Sequence, residues 1–221
     1  GFNCGDSGKV KNLGNLQLTV GKAAMDSIQK AVSKELNRNQ KVVSLGGDHS
    51  ITFPIIQAYS QSFPDLNILH IDAHPDLYDN FENNPYSHAS PFARIMEKGL
   101  VNRLVQVGIR TLNDHQKEQV KRFGLEVIEM KDFDPTVSFQ FGGPVYISID
   151  MDALDPAFAP GVSHHEPGGL STREVINIIH QLNGNVVGGD IVEYNPDKDI
   201  NEMTAMVGSK LLKELMGKIL K

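Results

Sequence analysis

The sequence predicts an α/β fold, a three-layer α/β/α sandwich with a mostly parallel sheet, and two features of the chain support this prediction. Short runs rich in valine, isoleucine and leucine alternate with segments whose apolar residues recur at helical spacing. The apolar runs are continuous rather than alternating with polar residues, which is typical of strands buried on both faces. Strands that alternate with helices in this way form a sheet covered by helices on both sides.

Five apolar runs are predicted to be strands. The first ends at the glycine pair Gly46-Gly47, and the other runs also end at small or polar residues. In parallel sheets, sites lie just beyond the carboxyl ends of the strands, so the residues that follow these runs are the functional candidates. The predicted strands are residues 41–45, 67–71, 103–107, 145–149 and 185–188.

Four segments between and after the strands are predicted to be helices. Residues 24–36 carry apolar side chains at helical spacing, and residues 113–123 stop at Gly124, a typical C-terminal cap. A capping box from Ser171 to Glu174 precedes the next helix. The last helix, at about 202–220, has an apolar stripe that core packing explains.

Length and composition bound the classes of protein. The 221 residues suit one domain over 1–221, and the net charge of -6 argues against nucleic-acid binding. No apolar run reaches the roughly 18 residues that span a membrane, so no membrane partner is expected. Cys4 is the only cysteine, which indicates a reduced cytoplasmic setting. Organellar import stays open, because the chain begins at Gly1 without a methionine and a leader would not be visible.

Acidic and histidine residues follow three of the predicted strands. Alternate residues of an extended chain project to one side, so the side chains of each group should converge. The glycine pair before the first group allows a tight turn at the edge of the sheet. These six candidate metal ligands are His49, Asp72, His74, Asp76, Asp150 and Asp152.

Four aspartates side by side are incompatible with burial unless cations neutralise them. Two divalent cations would balance the four charges. Oxygen ligands with a minority of imidazoles and no thiolate favour Mn²⁺, with Ni²⁺, Co²⁺ or Fe²⁺ as alternatives. Two such ions about 3.5–4 Å apart can share a water and convert it to hydroxide near neutral pH. The residues therefore predict a dinuclear metal hydrolase.

Three stretches resemble the signatures of the ureohydrolase family, which includes arginase, agmatinase and formimidoylglutamase. They are residues 45–50, 71–76 and 148–161, and the similarity runs from about Asp6 to the C-terminus, closest to plant-type arginases. The resemblance implies the arginase-like α/β/α fold. It also implies that residues 1–221 are one catalytic domain without the first N-terminal elements of the family pattern.

The resemblance also implies roles for the six metal ligands. Asp72 and Asp150 would bridge two Mn²⁺ ions, and Asp76 would also orient the bridging hydroxide. One ion would be held by His49, Asp72, Asp76 and Asp150, and the other by His74, Asp72, Asp150 and Asp152.

Further residues resemble those that handle the substrate in this family. Glu193 matches the carboxylate that pairs with a guanidinium, which would otherwise be repelled by two metal ions. His88 matches the loop histidine that passes a proton to the leaving amine. Asn80 lies on a loop similar to that of plant-type arginases, and His164 and His165 would line the substrate pocket.

The remaining polar neighbours are interpreted as structural. His70 is expected to pack within a strand, and His115 and His180 to lie on helices. Ser50 and Ser148 adjoin the candidate centre, but a metal-activated water needs no serine nucleophile.

The expected reaction is hydrolysis of L-arginine to L-ornithine and urea by a metal-bridging hydroxide. Agmatine hydrolysis to putrescine and urea is the alternative, because it needs the same metals and the same Glu193; formimidoylglutamase is less favoured. An inactive, truncated paralogue is disfavoured because no ligand, Glu193 or His88 is lost. A phosphatase is disfavoured because Glu193 would repel an anion. The family resemblance implies a homo-oligomer, a trimer or a hexamer.

Overall fold

Six strands pair in parallel to form one sheet in the computed structural model, which describes residues 8–221. Across the sheet, the first and last strands of the chain are neighbours, and the third and fourth form the opposite edge. In chain order the strands are β1 (Val43–Leu45), β2 (Asn67–Ile71), β3 (Arg103–Ile109), β4 (Glu126–Glu129), β5 (Gln140–Asp150) and β6 (Asn183–Val192). The order across the sheet is β1-β6-β5-β2-β3-β4.

Helices cover both faces of this sheet, which confirms the predicted fold class. The first three pack one apolar cluster against the sheet, and the last two pack a second cluster against its other face. The helices are α1 (Lys22–Leu36), α2 (Thr52–Ser62), α3 (Pro91–Glu97), α4 (Asp114–Phe123), α5 (Thr172–Gln181) and α6 (Met203–Ile219). Gly124 caps α4 in the left-handed conformation, and Ser171 and Glu174 form the expected capping box on α5.

The sheet order places four strand ends side by side. β1, β6, β5 and β2 are consecutive neighbours, and their registers align Leu45 with Ile191 and Ile71 with Ile149. The carboxyl ends of these strands therefore open onto one edge of the sheet, where all the candidate ligands lie.

Cys4 and the stretch at residues 3–6 lie outside the described residues. Across residues 8–221, none of the helices is both long and apolar enough to cross a bilayer.

Candidate metal centre

His49 lies at the centre of a buried group of carboxylates. It begins a short 3-10 turn, His49–Ile51, directly after β1, and it is 1% exposed. Its Nδ1 atom lies 3.0–3.1 Å from one carboxylate oxygen of each of Asp72, Asp76 and Asp150. Residues at or just after the carboxyl ends of three different strands, β1, β2 and β5, thus meet at the Nδ1 atom of His49.

His74 faces the opposite side of the same group. Its Nδ1 atom lies 3.2 Å from Asp152 Oδ2 and 3.5 Å from Asp72 Oδ1, and its backbone N–H donates to Asp72 Oδ1 at 2.6 Å. Asp150 accepts a hydrogen bond from the backbone of Asp152, which fixes both residues at the end of β5. The structure therefore brings all six predicted ligands together, with Asp72 between the two histidines and Asp150 between His49 and Asp152.

The four carboxylates, here called the aspartate cluster (Asp72, Asp76, Asp150 and Asp152), are all at most 6% exposed. Burial raises the pKa of Asp76 to about 7, and the charge of Asp72 adds to this effect. Burial also raises the pKa of Asp150, with the charges of Asp152 and Asp72 contributing. The cluster therefore concentrates more negative charge than its buried position stabilises by itself.

The two histidines respond to this charge in the opposite sense. Burial by itself would lower the pKa of His74, but the carboxylates of Asp152 and Asp72 raise it to about 12. The same balance, burial opposed by close carboxylates, raises the pKa of His49 well above its ordinary value. Positive charge is thus strongly favoured in the space between the imidazoles and the aspartate cluster.

The hydrogen bonds behind His49 show which of its nitrogens faces that space. Ser148 Oγ donates to Asp190 Oδ1 at 2.7 Å, so it accepts from His49 Nε2 at 2.9 Å. Nδ1 is buried and forms no regular hydrogen bond among the described residues, although three carboxylate oxygens approach it. An imidazole nitrogen and carboxylate oxygens that converge in this way fit a bound divalent cation, because the cation can be shared by all of them.

Four buried polar side chains form a row across the sheet, at the level of His70 and Ser148, which precede Asp72 and Asp150 by two residues. These residues are paired with one another on the neighbouring strands β3, β2, β5 and β6, and each is 0% exposed: Gln106, His70, Ser148 and Asp190. We call these four residues the polar row. Asp190, whose pKa is raised by burial, also accepts hydrogen bonds from Thr52 and from Tyr146.

His70 does more than pack within its strand. Its ring stacks on Phe92 with 3.8 Å between centroids, as expected for a core residue. Its Nε2 atom also lies 2.7 Å from Asp72 Oδ2, and burial lowers the pKa of His70 to about 4. This contact was not predicted from the sequence, although the two-residue spacing from His70 to Asp72 places both side chains on one side of an extended chain.

Glu193 borders the centre from the end of β6. Its Oε1 atom accepts a hydrogen bond from the backbone N–H of His49 at 2.9 Å, and its own N–H donates to Gly47 at 3.0 Å. Burial raises the pKa of this carboxyl group. A partly buried anion is thus fixed against the turn that carries His49.

The rings of three histidines contact one another in a row that begins at the centre: His74, His164 and His88. The ring of His164 stacks on that of His88 at 5.3 Å and meets the ring of His74 edge-on at 6.1 Å. His165 turns away and contacts the carbonyl of Pro160 at 2.7 Å. Asn80 is exposed. Asn80, His164 and His165 all lie outside the lining of the cavity that opens beside the centre.

A cavity of about 690 Å³ opens beside the centre, and His88 lies on its wall. Gly47, Asp48 and Ser50, which flank His49, line it together with the loop that carries Tyr86. Lys22, the exposed first residue of α1, also lines it. The cavity therefore extends from the turn at His49 to a cationic side chain.

Comparison with known proteins places this arrangement among metal-dependent relatives. The family model described as "Arginase family" matches residues 3–217. The mitochondrial arginase 1 of Oryza sativa is 57% identical over 186 residues, which are 80% of this chain and 55% of that protein. An agmatinase of Bacillus cereus is 34% identical over 216 residues, covering 94% of this chain and 74% of the agmatinase. The chain thus spans about half the length of the rice protein.

Solved structures agree with the fold. The arginase from Medicago truncatula superposes with a TM-score of 0.87 at 48% identity, over 91% of this chain and 66% of that one. A triple mutant of the T. brucei arginase-like protein bound with Mn²⁺ superposes with a TM-score of 0.84 at 32% identity. That match covers 96% of this chain and 71% of the T. brucei chain.

Proposed function

Since this chain belongs to the arginase family, we propose that it is a metal-dependent hydrolase that converts L-arginine and water to L-ornithine and urea. One observation carries the proposal: the aspartate cluster and two histidines converge at the sheet edge, directly beside the fixed carboxylate of Glu193. The identity of 57% to a plant arginase supports L-arginine as the substrate.

We propose that the centre holds two Mn²⁺ ions. His49, Asp76, Asp72 and Asp150 would hold one ion, and His74, Asp152, Asp72 and Asp150 the other. The contacts of Asp72 with both histidines support its place in both sets. Such ions, when bound, lower the pKa of a water molecule so that it ionises near neutral pH.

The protein's own side chains would orient the reactants. Glu193 would accept N–H groups of the guanidinium, and this pairing would hold a cationic substrate beside other positive charges. Asp76 would accept a hydrogen bond from the attacking water. His88, held by its stacking on His164, would donate a proton to the amine nitrogen that leaves as the C–N bond breaks.

The lining of the cavity supports L-arginine over agmatine. Lys22 is an exposed cation in this lining, which also contains Asp48 and Glu82, and we infer that it would face the end of the substrate that is remote from the guanidinium. Arginine carries an α-carboxylate at that end, whereas agmatine does not. A contact between opposite charges at an exposed position is worth up to about 1 kcal/mol, or about fivefold in KM.

A paired assay tests the proposal. The purified chain is loaded with Mn²⁺, its metal content is measured, and urea release is followed from L-arginine and from agmatine in parallel. We expect a higher kcat/KM with arginine, and a Lys22→Met variant should lose about fivefold for arginine alone. Release of no urea from either substrate by the metal-loaded chain would contradict the proposed activity, and a higher kcat/KM with agmatine than with arginine would favour the agmatinase alternative.

Two further properties stay predictions. A homo-oligomer, trimer or hexamer, is the expected assembly, and light scattering of the purified chain would measure it. A cytoplasmic location was expected from the single cysteine, whereas the name of the rice relative places that protein in mitochondria. Fractionation of cells that express the native gene would distinguish the two locations.

A further inference from the structure

We propose that Gln106 fixes His70 in one tautomer, so that His70 donates a hydrogen bond to Asp72 and positions this carboxylate without being a metal ligand itself. This inference rests on the proposed metal centre. His70 and Gln106 are partners in the register of β2 and β3, and both are 0% exposed.

The alternative role for His70 is that of a ligand. One ligand atom from each of His49, His70 and Asp72 lies within 4.8 Å of the others, which is close enough for all three to share a cation. Whether His70 can serve depends on which of its two ring nitrogens carries the proton, because only the other nitrogen has a free lone pair.

The amide of Gln106 decides this point. Its Nε2 atom lies 2.7 Å from the carbonyl oxygen of Pro75 and 2.9 Å from Nδ1 of His70. A carbonyl oxygen only accepts hydrogen bonds, so the NH₂ group of the amide must face Pro75. The Oε1 atom of Gln106 has no partner among the described residues, which indicates that the two NH₂ contacts determine the orientation of the amide.

The second amide hydrogen then points at His70, and Nδ1 of His70 must accept it. The proton of the neutral imidazole therefore resides on Nε2, which lies 2.7 Å from Asp72 Oδ2. A protonated nitrogen has no lone pair for a cation, so this geometry makes His70 a donor to Asp72.

Asp72 is consequently held at both of its oxygens. Oδ2 accepts from His70, and Oδ1 accepts from the backbone N–H of His74 at 2.6 Å. The stacking of His70 on Phe92 prevents the imidazole from turning away. A bridging carboxylate oriented before the ions arrive would bind them more tightly, because less freedom is lost on binding.

The first experiment reads the tautomer directly. Long-range ¹⁵N–¹H spectra of the full chain, prepared without metal, distinguish a protonated from an unprotonated ring nitrogen. We expect His70 to be protonated at Nε2 and unprotonated at Nδ1. In Gln106→Met, which keeps the volume but removes the amide, we expect a mixture of tautomers. A wild-type His70 protonated at Nδ1 would overturn the proposal.

The second experiment measures the effect on metal binding. In a calorimetric titration of the full chain with Mn²⁺, we expect His70→Phe to retain two ions and to bind them about 10- to 100-fold more weakly. Gln106→Met should show a smaller loss in the same direction. The matched control is Gln116→Met, which removes a buried glutamine of the α4 capping box and should leave Mn²⁺ affinity unchanged.

The outcomes separate this inference from the proposed function. Binding of one ion fewer by His70→Phe would identify His70 as a ligand and overturn the positioning role. An affinity within twofold of the wild type would also overturn it. A wild-type chain that binds no Mn²⁺ at all would overturn the proposed function and, with it, any role of His70 toward a metal.

Discussion

Glu193 reaches the centre through a backbone conformation that few glutamates adopt. Its φ of 63° lies in the left-handed region, which costs a residue with a side chain roughly 1–2 kcal/mol. Asp76, with φ of 50°, is in the same region. Strain of this kind is retained where the surrounding structure holds it, and it is frequent at functional sites. Both strained residues, Glu193 and Asp76, place a carboxylate in contact with His49.

We predict that Glu193→Gln abolishes most turnover while leaving Mn²⁺ content unchanged. The amide keeps the shape but removes the charge that, in the proposed function, would hold a guanidinium beside two cations. Loss of a charged contact to a desolvated substrate corresponds to about 100- to 1,000-fold in kcat/KM. Metal analysis and urea assays on the same preparation measure both quantities. A loss of bound metal would show that Glu193 contributes to the metal centre instead.

A second glutamate provides the control for this experiment. Glu202 has φ of 58°, precedes α6 and is exposed. Glu202→Gln therefore makes the same chemical change at a similarly strained position away from the centre. Its kcat/KM should stay within about twofold of the wild type, as expected for a surface substitution.

Arg110 organises the segment that follows β5. Its guanidinium donates to the carbonyl oxygens of Asp152 at 2.8 Å and Glu166 at 2.6 Å, and also to that of Gly108 at 3.0 Å. These contacts join the turn that bears Asp152 to the loop that bears His164. Burial lowers the pKa of Arg110, but an arginine stays charged throughout the ordinary pH range.

We predict that Arg110→Met destabilises the fold by about 2–4 kcal/mol, because several carbonyl groups lose a charged donor. Urea unfolding measures this loss, and hydrogen exchange should increase for residues 163–170. Arg173, which is exposed on α5, gives the matched control, and Arg173→Met should change stability by less than about 0.5 kcal/mol. Unchanged exchange in the loop would contradict the role given to Arg110.

The close approach of β6 to α2 depends on a glycine. A Cβ atom at Gly188 would overlap the phenol of Tyr59, whose hydroxyl donates to the carbonyl of Val42 at 2.8 Å. This contact ties α2 to the segment before β1. Only a residue without a side chain fits between the sheet and the ring of Tyr59.

We predict that Gly188→Ala lowers the free energy of unfolding by about 3 kcal/mol, since neither the strand nor the ring can move without disturbing the core. Gly142→Ala, where nothing lies within 4 Å of the added methyl group, should have little effect or stabilise slightly. Thermal and urea unfolding of both variants measure the difference. Equal stability of the two variants would contradict the packing argument.

Glu214 joins the two helices α5 and α6. Its side chain on α6 is 1% exposed and contacts Lys210 of α6 and His180 Nε2 of α5, the latter at 2.7 Å. The contact with Lys210, followed by that with His180, lowers the pKa of Glu214 to about 2. The folded state therefore favours the ionised carboxylate over the protonated one.

The sign of the resulting pH dependence follows from this lowered pKa. The stabilisation is fully present above the unfolded value of 4.5 and is lost as the pH falls through about 2. We predict that Glu214→Gln is less stable than the wild type near pH 7, by about 1.5–3 kcal/mol, and that the difference shrinks below pH 4.5. Urea unfolding at several pH values measures this, with the exposed Glu118→Gln as control. A difference that is constant with pH would contradict the assignment.

Much of the architecture was predictable because it is encoded over short stretches. β2 was predicted at its observed bounds, since all five of its residues are buried and mostly apolar. β4 was missed because it is a four-residue edge strand, with Glu126 and Glu129 at its ends and no full burial. α3 was missed because its first five residues are all buried, so it lacks an amphipathic pattern.

The candidate centre divides in the same way. The sequence by itself determined the α/β class and the grouping of Asp72, His74 and Asp76, because alternation along an extended chain is a local property. Only the tertiary structure decided that β1, β6, β5 and β2 are neighbours. That order brings the backbone of His49 within hydrogen-bond reach of Glu193, 144 residues away, and pairs His70 with Gln106. Such contacts arise from the packing of strands distant in the chain, which no short stretch of sequence encodes.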